Sequence, residues 1–341
     1  MKSLRILVLM HRDLVPPDTM KGYTDKEITE WKTEFDVVST LQEMGHEVFP
    51  LGVLDDLGEI RNALIDIKPH VSFNLLEEFH GQSLFDYHIA SYMELMKQAY
   101  TGCNPRGLLL AHDKALCKKI MAYHRIRTPK FTVYPMSAKI RISKRLKFPL
   151  FVKSLYEEGS YGISHASIVS NEEKLHERIS YLHDHLQTPV ISEEYIDGRE
   201  LYIPIIGNQR VNVLQPLELI FGTMPDKIPR IATSKVKWDW KYQKLYGIDV
   251  KPAVLNAQQT ERIKKLGRRI YHVLGLSGYA RIDIRLTEDD KIYVLEANAN
   301  PDIAYGGEMS TAAELAGIKY EDLLQKIINL GMRYSPDMRY T

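Results

Sequence analysis

Two β-prone runs, Tyr279–Leu286 and Ile292–Ala297, flank an acidic stretch and alternate residue by residue in character. Period-two alternation over both runs calls for an antiparallel ribbon with two unlike faces. If Asp289-Asp290 forms a two-residue turn, Asp283 lies opposite Glu296 and Arg281 opposite Asn298, all four on one face. Ile282, Ile284, Leu286, Tyr293, Leu295 and Ala297 form the other face, an apolar surface for packing. Carboxylates placed across a strand pair repel each other unless a cation or a shared proton sits between them. With the amide oxygen of Asn298 beside them, they make an oxygen donor set suited to Mg²⁺, which keeps waters and bridges to phosphates. The same face also suits a solvated surface on which Asp283 pairs with Arg281 or Arg285. A one-residue slip would send the whole set to the opposite side.

The chain around this ribbon has 341 residues, enough for two or three domains. Strand signals at Arg5–Met10, His46–Leu51 and His70–Leu75 alternate with helical patterns at Asp36–Met44 and Ile60–Ile67. That order predicts a parallel sheet with covering helices. Asp18–Glu34 reads as a polar loop or short helix over a cleft. A helix over Asp113–His124 opens a region of shorter β-runs: Leu150–Ser154, His165–Val169 and Val190–Ile196, with a helix over Glu172–Leu186. Asp197-Gly198 between β-prone runs predicts a hairpin. Helices over Gln258–Leu274 and Tyr320–Leu330 complete the pattern. The expected units are residues 1–112, 113–196 and 197–333, with 334–341 as a poorly ordered tail.

Composition removes several function classes. Lys and Arg total 45 against 44 Asp and Glu, a net charge of +1, so no basic field marks a nucleic-acid or membrane partner. Cys103 and Cys117 are the only cysteines and form no CxxC pair, which excludes a disulfide scaffold or the usual zinc site. The N-terminal apolar run lacks a cleavage signal, and no stretch approaches the ~18 apolar residues of a membrane span. A soluble, cytoplasmic protein is expected.

Lys153 ends the run FPLFVKS and precedes Glu157-Glu158-Gly159-Ser160-Tyr161-Gly162. A lysine at a strand end beside a short glycine loop can pair with phosphates while loop amides donate to their oxygens. It is neither a P-loop nor a dinucleotide fingerprint, and an ordinary hairpin loop with an exposed lysine fits it as well. In VISEEYI, Glu193 and Glu194 interrupt an apolar strand. They suit either an edge strand guarded by charge or a hinge strand that holds adenine and ribose. Trp238 and Trp240 suit a half-buried strand or a loop over a site.

Together these residues resemble the ATP-grasp enzymes, specifically the D-alanine–D-alanine ligase branch. The collinear set runs Tyr100-Thr101-Gly102, Asp113-Lys114, Pro149–Lys153, Glu158–Gly162, Glu193–Ile196, Glu200, Lys237-Trp238, Arg281–Asp283 and Leu295–Asn298. It spans roughly residues 70–325. The resemblance implies an N-terminal Rossmann-like α/β domain followed by two α+β domains that hold ATP between them. It implies that Lys114 and Lys153 contact the phosphates, with Glu158, Gly159 and Ser160 closing over them. By the same resemblance Glu193, Glu194 and Ile196 line the adenine, Glu200 takes the ribose, and Lys237 approaches the γ-phosphate in competition with Lys235 and Lys241. Asp283, Glu296 and Asn298 would hold two Mg²⁺, or Mn²⁺ in their place, and Arg281 would stabilise the tetrahedral intermediate, with Ser160 and Lys237 also catalytic. The implied partners are small carboxylic acids and amines, amino acids above all, and homodimers are frequent in the family.

The substrate end departs from the family pattern. The family's HGxxGEDG-like segment is replaced by FNLLEEFHG, where Glu78 is the candidate for binding the first substrate. After Asn298 the family has a Pro-Gly step and a Ser-Leu pair that receive the second substrate's carboxylate. This chain reads NPDIAYGGE, with Asp302, Tyr305 and Gly306 as candidate substrate contacts. Acids at Asp302 and Glu308 disfavour a carboxylate and attract an ammonium group, so the expected pair is not D-alanine with D-alanine. The alternative function is an ATP-binding sensor or regulator of the same fold without ligase activity.

Overall fold

Five consecutive apolar residues, Ile6–Met10, make β1 (Arg5–His11) a strand that is buried on both faces, as a parallel-sheet centre requires. The computed structural model describes residues 3–136, 139–157, 159–225 and 227–336. After β1 come α1 (Asp25–Glu43), β2 (Glu47–Val53), α2 (Leu57–Ile67) and β3 (Val71–Asn74). The strands form a parallel sheet in the order β2-β1-β3, as the alternation of signals predicts. Helix α1 starts well before the expected Asp36. Thr24 and Glu27 form a reciprocal capping box that launches it, and the helix bends at Trp31 (φ −122°, ψ 18°). Of the two readings of Asp18–Glu34, loop or short helix, the part from Asp25 onward is helix, continuous with the expected one. Three further helices follow: α3 (Asp86–Leu95), α4 (Pro105–His112) and α5 (Lys114–Tyr123).

The second sheet consists of β4 (Phe131–Tyr134), β5 (Leu150–Ser154), β6 (Ile168–Val169) and, after helix α6 (Glu172–Leu186), β7 (Val190–Glu194). Its order is β4-β7-β5-β6, all antiparallel. Because β7 is flanked on both sides, the edge-strand reading of Glu193 and Glu194 is overturned.

The third sheet contains β8 (Arg199–Gly207), β9 (Val211–Val213) and β10 (Leu217–Ile220). Helices α7 (Ser234–Trp238) and α8 (Trp240–Tyr246) intervene before β11 (Asp249–Pro252). Helix α9 (Ala257–Val273) leads to β12 (Tyr279–Leu286) and β13 (Ile292–Ala299), and α10 (Glu308–Leu315) and α11 (Tyr320–Arg333) end the described chain. The strand order is β11-β10-β8-β12-β13, with β9 on β8. Trp238 and Trp240 thus sit on short helices and not on a strand. Both are exposed.

The predicted Asp197-Gly198 hairpin does not form. Both edges of β7 are already taken by β4 and β5, while β8 pairs with β12, β10 and β9, so this dipeptide carries the chain from one sheet to the other. Gly198 adopts φ +143°, and a Cβ there would lie 2.4 Å from the Leu286 carbonyl oxygen. Only glycine fits that crossing.

The third sheet separates two large apolar clusters. Leu201, Ile203, Ile282, Ile284 and Val294 pack with α9 and the α3–α5 helices on one side. Tyr202, Ile206, Leu217 and Tyr279 pack with α11 and, beyond it, α1 on the other. The tail is tied down at its first residue: the Tyr334 hydroxyl donates to Glu94. Residues 337–341 lie outside those described.

Candidate active site

Strands β12 and β13 pair as expected where the chemistry is concentrated: Asp283 opposes Glu296 and Arg281 opposes Asn298. The turn, however, is not Asp289-Asp290 alone. Thr287 and Lys291 close it, with Asp290 in the left-handed region at φ +61°, so the pairs nearest the turn are Leu286–Ile292, Arg285–Tyr293 and Ile284–Val294. A bulge between Asp283 and Ile284 leaves Leu295 as the extra residue and restores the predicted pairing beyond it. In consequence Val294, not Tyr293 or Leu295, continues the buried apolar face, and Leu295 turns toward a cavity together with Glu296.

That cavity lies between the second and third sheets. Phe151 and Lys153 of β5, Glu193 and Glu194 of β7, and Tyr195 and Ile196 of the crossing line one side. Glu200 of β8, Lys237 of α7, and Asp283, Arg285, Leu295 and Glu296 of the hairpin line the other, with Ser160 at the mouth. Sequence-distant residues thus meet because the Asp197-Gly198 crossing folds one sheet over the other.

Charge inside the cleft is paired. The Lys153 ammonium donates to Glu296 at 2.7 Å. Burial alone would lower the lysine's pKa, but the Glu296 and Glu193 carboxylates outweigh it and hold it above the usual range. Burial would raise Glu296, yet Lys153 and Lys114 hold it far below the ordinary carboxylate value. The Arg281 guanidinium grips Asp283 with a fork of two bonds, 2.7 and 2.9 Å, and reaches Glu308 at 3.3 Å. The Asn298 amide donates to Asp283 at 3.0 Å. Arg285 donates to Glu200 at 2.7 Å.

The remaining predicted residues sort by position. Gly159 (φ +60°) and Ser160 (φ +62°) form a tight loop pinned from outside: Trp238 Nε1 donates to the Gly159 carbonyl at 2.8 Å and the Ser234 hydroxyl to that of Ser160 at 2.5 Å. Glu158 lies outside the described residues. Of the three competing lysines, Lys237 lines the cavity, whereas Lys235 and Lys241 are exposed. Lys114 stands behind the loop, donating to the Glu157 carbonyl at 2.8 Å. Glu78 lies beyond the C-terminal end of β3, 3.3 Å from His11 Nε2 at the end of β1. Asp302 accepts from the Ala304 amide and the Thr33 hydroxyl, both at 2.8 Å. Tyr305 is largely exposed, its amide donating to Asp36, and Gly306 takes φ +81°.

Two residues were missed by the sequence reading. Lys118 is fully buried, 3.3 Å from Glu193 and bonded to the Leu295 carbonyl, so it anchors both walls of the cavity. Its i+4 spacing from Lys114 was the available signal. Glu34 is buried in α1, where no sequence pattern singles it out.

A family profile described as "D-ala D-ala ligase C-terminus" matches residues 115–329, well over half of the chain. The chain belongs to the D-alanine–D-alanine ligase family. Among its relatives, the D-alanine–D-alanine ligase of Aquifex aeolicus is 27% identical over 311 residues, covering 91% of this chain and 98% of its own. An uncharacterised protein of Sinorhizobium fredii, y4sG, is 28% identical over 304 residues, 87% of this chain and 86% of its own. The crystal structure of the Bacillus anthracis D-alanine–D-alanine ligase complexed with ATP superposes with a TM-score of 0.73 at 22% identity, covering 97% of this chain and 98% of that one. The VanG D-Ala:D-Ser ligase of Enterococcus faecalis gives 0.71 at 19% identity, over 97% and 100%. The fold of this D-alanine–D-alanine ligase-family chain is accordingly ATP-grasp. Among its described residues no helix is long and apolar enough to cross a membrane.

Proposed function

We propose that the protein is an ATP-dependent carboxylate–amine ligase that works through an acyl phosphate, on a substrate pair other than D-alanine with D-alanine. The observation that carries this reading is the meeting of Arg281, Asp283, Glu296 and Asn298 on one ribbon face, next to Lys153 and Lys237.

The donor set fits a hard divalent cation. Asp283, Glu296 and the Asn298 amide supply oxygen only, and each carboxylate already sits against a cationic group. Among the described residues no group of three or more His, Cys, Asp or Glu side chains gathers to hold an ion. Two acids and an amide leave coordination places for phosphate oxygens and water, as Mg²⁺ prefers. Mg²⁺ would offset triphosphate charge there. The adenine is assigned to the Glu193–Ile196 wall, where a buried Glu193 oxygen makes an ion pair with Lys118 at 3.3 Å and no hydrogen bond, and the ribose to Glu200.

In the first step a substrate carboxylate oxygen attacks the γ-phosphorus, its bond to the β,γ-bridging oxygen breaks, and ADP leaves with that electron pair. In the second, a neutral amine nitrogen attacks the acyl carbon, the carbon–oxygen bond to phosphate breaks with its electron pair going to the phosphate, and the nitrogen's proton passes to the departing phosphate, which leaves as hydrogen phosphate. Lys153 and Lys237 position the phosphates, and Arg281 meets the oxyanion, so the chain contributes orientation and charge neutralisation.

The substrate claim rests on the acids at Asp302 and Glu308. The test is ADP release over D- and L-amino acids offered as donor and as acceptor. Release that requires a carboxylic acid and an amine, with other pairs ahead of D-alanine, is the expected outcome. Preference for D-alanine at both positions overturns the substrate claim, and ADP release indifferent to any added acid overturns the ligase reading.

A further inference from the structure

The cleft has a middle stretch between its phosphate end and its base end. Asp283 and Arg285 share one face of β12, two residues or about 6.8 Å apart. Asp283 belongs to the oxygen donor set, whereas the guanidinium carbon of Arg285 stands 5.9 Å from the centre of the Tyr195 ring, on the wall given to the base. Arg285 thus lies between the two ends, and β8 sets Glu200 directly opposite it. Both residues are buried, and both line the cavity.

Arg285 joins three segments that are distant in the chain. Its Nη1 donates to the Gly198 carbonyl at 2.7 Å, at the crossing between the sheets. Its Nη2 donates at 2.7 Å both to Glu200 Oε2 and to the carbonyl of Arg230, in the stretch that leads to α7 and Lys237. A guanidinium is a rigid planar fork, so these bonds fix where the Glu200 carboxylate stands relative to the crossing and to α7. That carboxylate keeps room for further donors. Its other oxygen, Oε1, accepts from the Tyr202 hydroxyl at 3.3 Å, and a carboxylate oxygen can accept more than one hydrogen bond.

Resting on the ligase reading above and its assignment of the ribose to Glu200, we propose that Arg285 is a positioning residue that makes the protein select ribonucleotides. It holds Glu200 so that the two carboxylate oxygens meet a vicinal diol, each hydroxyl donating to one of them. A sugar that lacks either hydroxyl forfeits a hydrogen bond to a charged, buried acceptor. Glu200 touches the nucleotide, and Arg285 acts through Glu200.

Calorimetric titration of the full chain with ADP, 2′-deoxyADP, 3′-deoxyADP and GDP in excess Mg²⁺ tests this without turnover. The parent is expected to bind ADP at least about tenfold more tightly than either deoxynucleotide. Arg285→Gln should cut that ratio to about twofold, and Arg285→Lys to an intermediate value, because an ammonium cannot reproduce the fork. The ADP-over-GDP ratio should stay at the parent's value in both variants, since a cleft that had merely slackened would lose base and sugar selectivity together. Glu200→Gln should lower the sugar ratio as far, and adding Arg285→Gln to it should lower it no further. Thermal melts check folding, and Arg285→Lys carries the test where Arg285→Gln does not fold. Three outcomes would overturn the proposal and leave the ligase reading standing: a parent indifferent to the sugar hydroxyls, an unchanged sugar ratio in a folded Arg285 variant, or loss of both ratios together. Failure of every nucleotide to bind would overturn both.

Discussion

Arg281 and Glu34 are opposite cases of a buried charge, one paired with two carboxylates and one with no ion pair among the described residues. A lysine in place of Arg281 keeps the charge but cannot reproduce the two-bond fork to Asp283 while also reaching Glu308. For Arg281→Lys we expect kcat to fall about 100-fold, the scale of losing one preorganised oxyanion donor, with the KM for ATP changed far less. Steady-state ADP release measures both. Burial and Asp302 push the Glu34 carboxyl from its ordinary 4.5 up to about 7. Between those values the folded chain binds the additional proton, so stability falls as pH rises through the window and stays low above it. Glu34→Gln should therefore be more stable than the parent at pH 8, and its melting temperature should vary less between pH 4.5 and 7. An unchanged profile would show that Glu34 is not desolvated. Nothing in the order of residues announces Glu34, because its character comes from what α1 packs against. Arg281 was legible since its neighbours in the ribbon are set by alternation.

At the scale of elements, the hairpin shows how a right pairing arose from a wrong turn. The chain uses a longer turn than Asp289-Asp290, and the extra residue at Leu295 compensates, so Asp283 and Glu296 still meet. Turn chemistry and bulges depend on backbone geometry that alternation does not encode, and the misplacement of Tyr293 and Leu295 follows from that. The Asp197-Gly198 error has another origin. A local hairpin signal lost to tertiary context, in which β7 already had two partners. For Gly198→Val we expect a loss of about 1–3 kcal/mol from backbone strain alone, with more from the clash at Leu286, read as a lower melting temperature. The glycine loop offers a gentler test. Trp238→Phe removes the bond to the Gly159 carbonyl while touching no core, so a loss near 1 kcal/mol should appear as a several-fold higher KM for ATP at unchanged melting temperature.

Across the whole molecule the three sheets are locked by a few polar contacts between distant segments. Asn300 accepts from the Cys103 amide at 2.7 Å, Asn104 donates to the Gly275 carbonyl at 2.7 Å, and α1 bonds the 302–305 loop through Lys32, Thr33 and Asp36. The α/β start was readable from element order, and three strands of the second sheet and the β12–β13 ribbon from their β-prone runs, whereas β4, β9, β10 and β11 were not singled out; nor were these locks, since each joins residues more than 160 positions apart. ATP with Mg²⁺ should stabilise the molecule by about 2.7 kcal/mol at a hundredfold excess over Kd. Most of that gain should vanish with a chelator, by differential scanning calorimetry. A gain unaffected by chelation would separate nucleotide binding from the Asp283–Glu296–Asn298 set.

The crossing at Gly198 has a mechanical consequence. The wall assigned to the nucleobase, Glu193 to Ile196, runs directly into the only covalent joint between β7 and β8. If the base binds there, it sits against one of the two covalent connections of the second sheet, the other being the segment between α5 and β4, so a change at Gly198 should reach nucleotide affinity as well as stability.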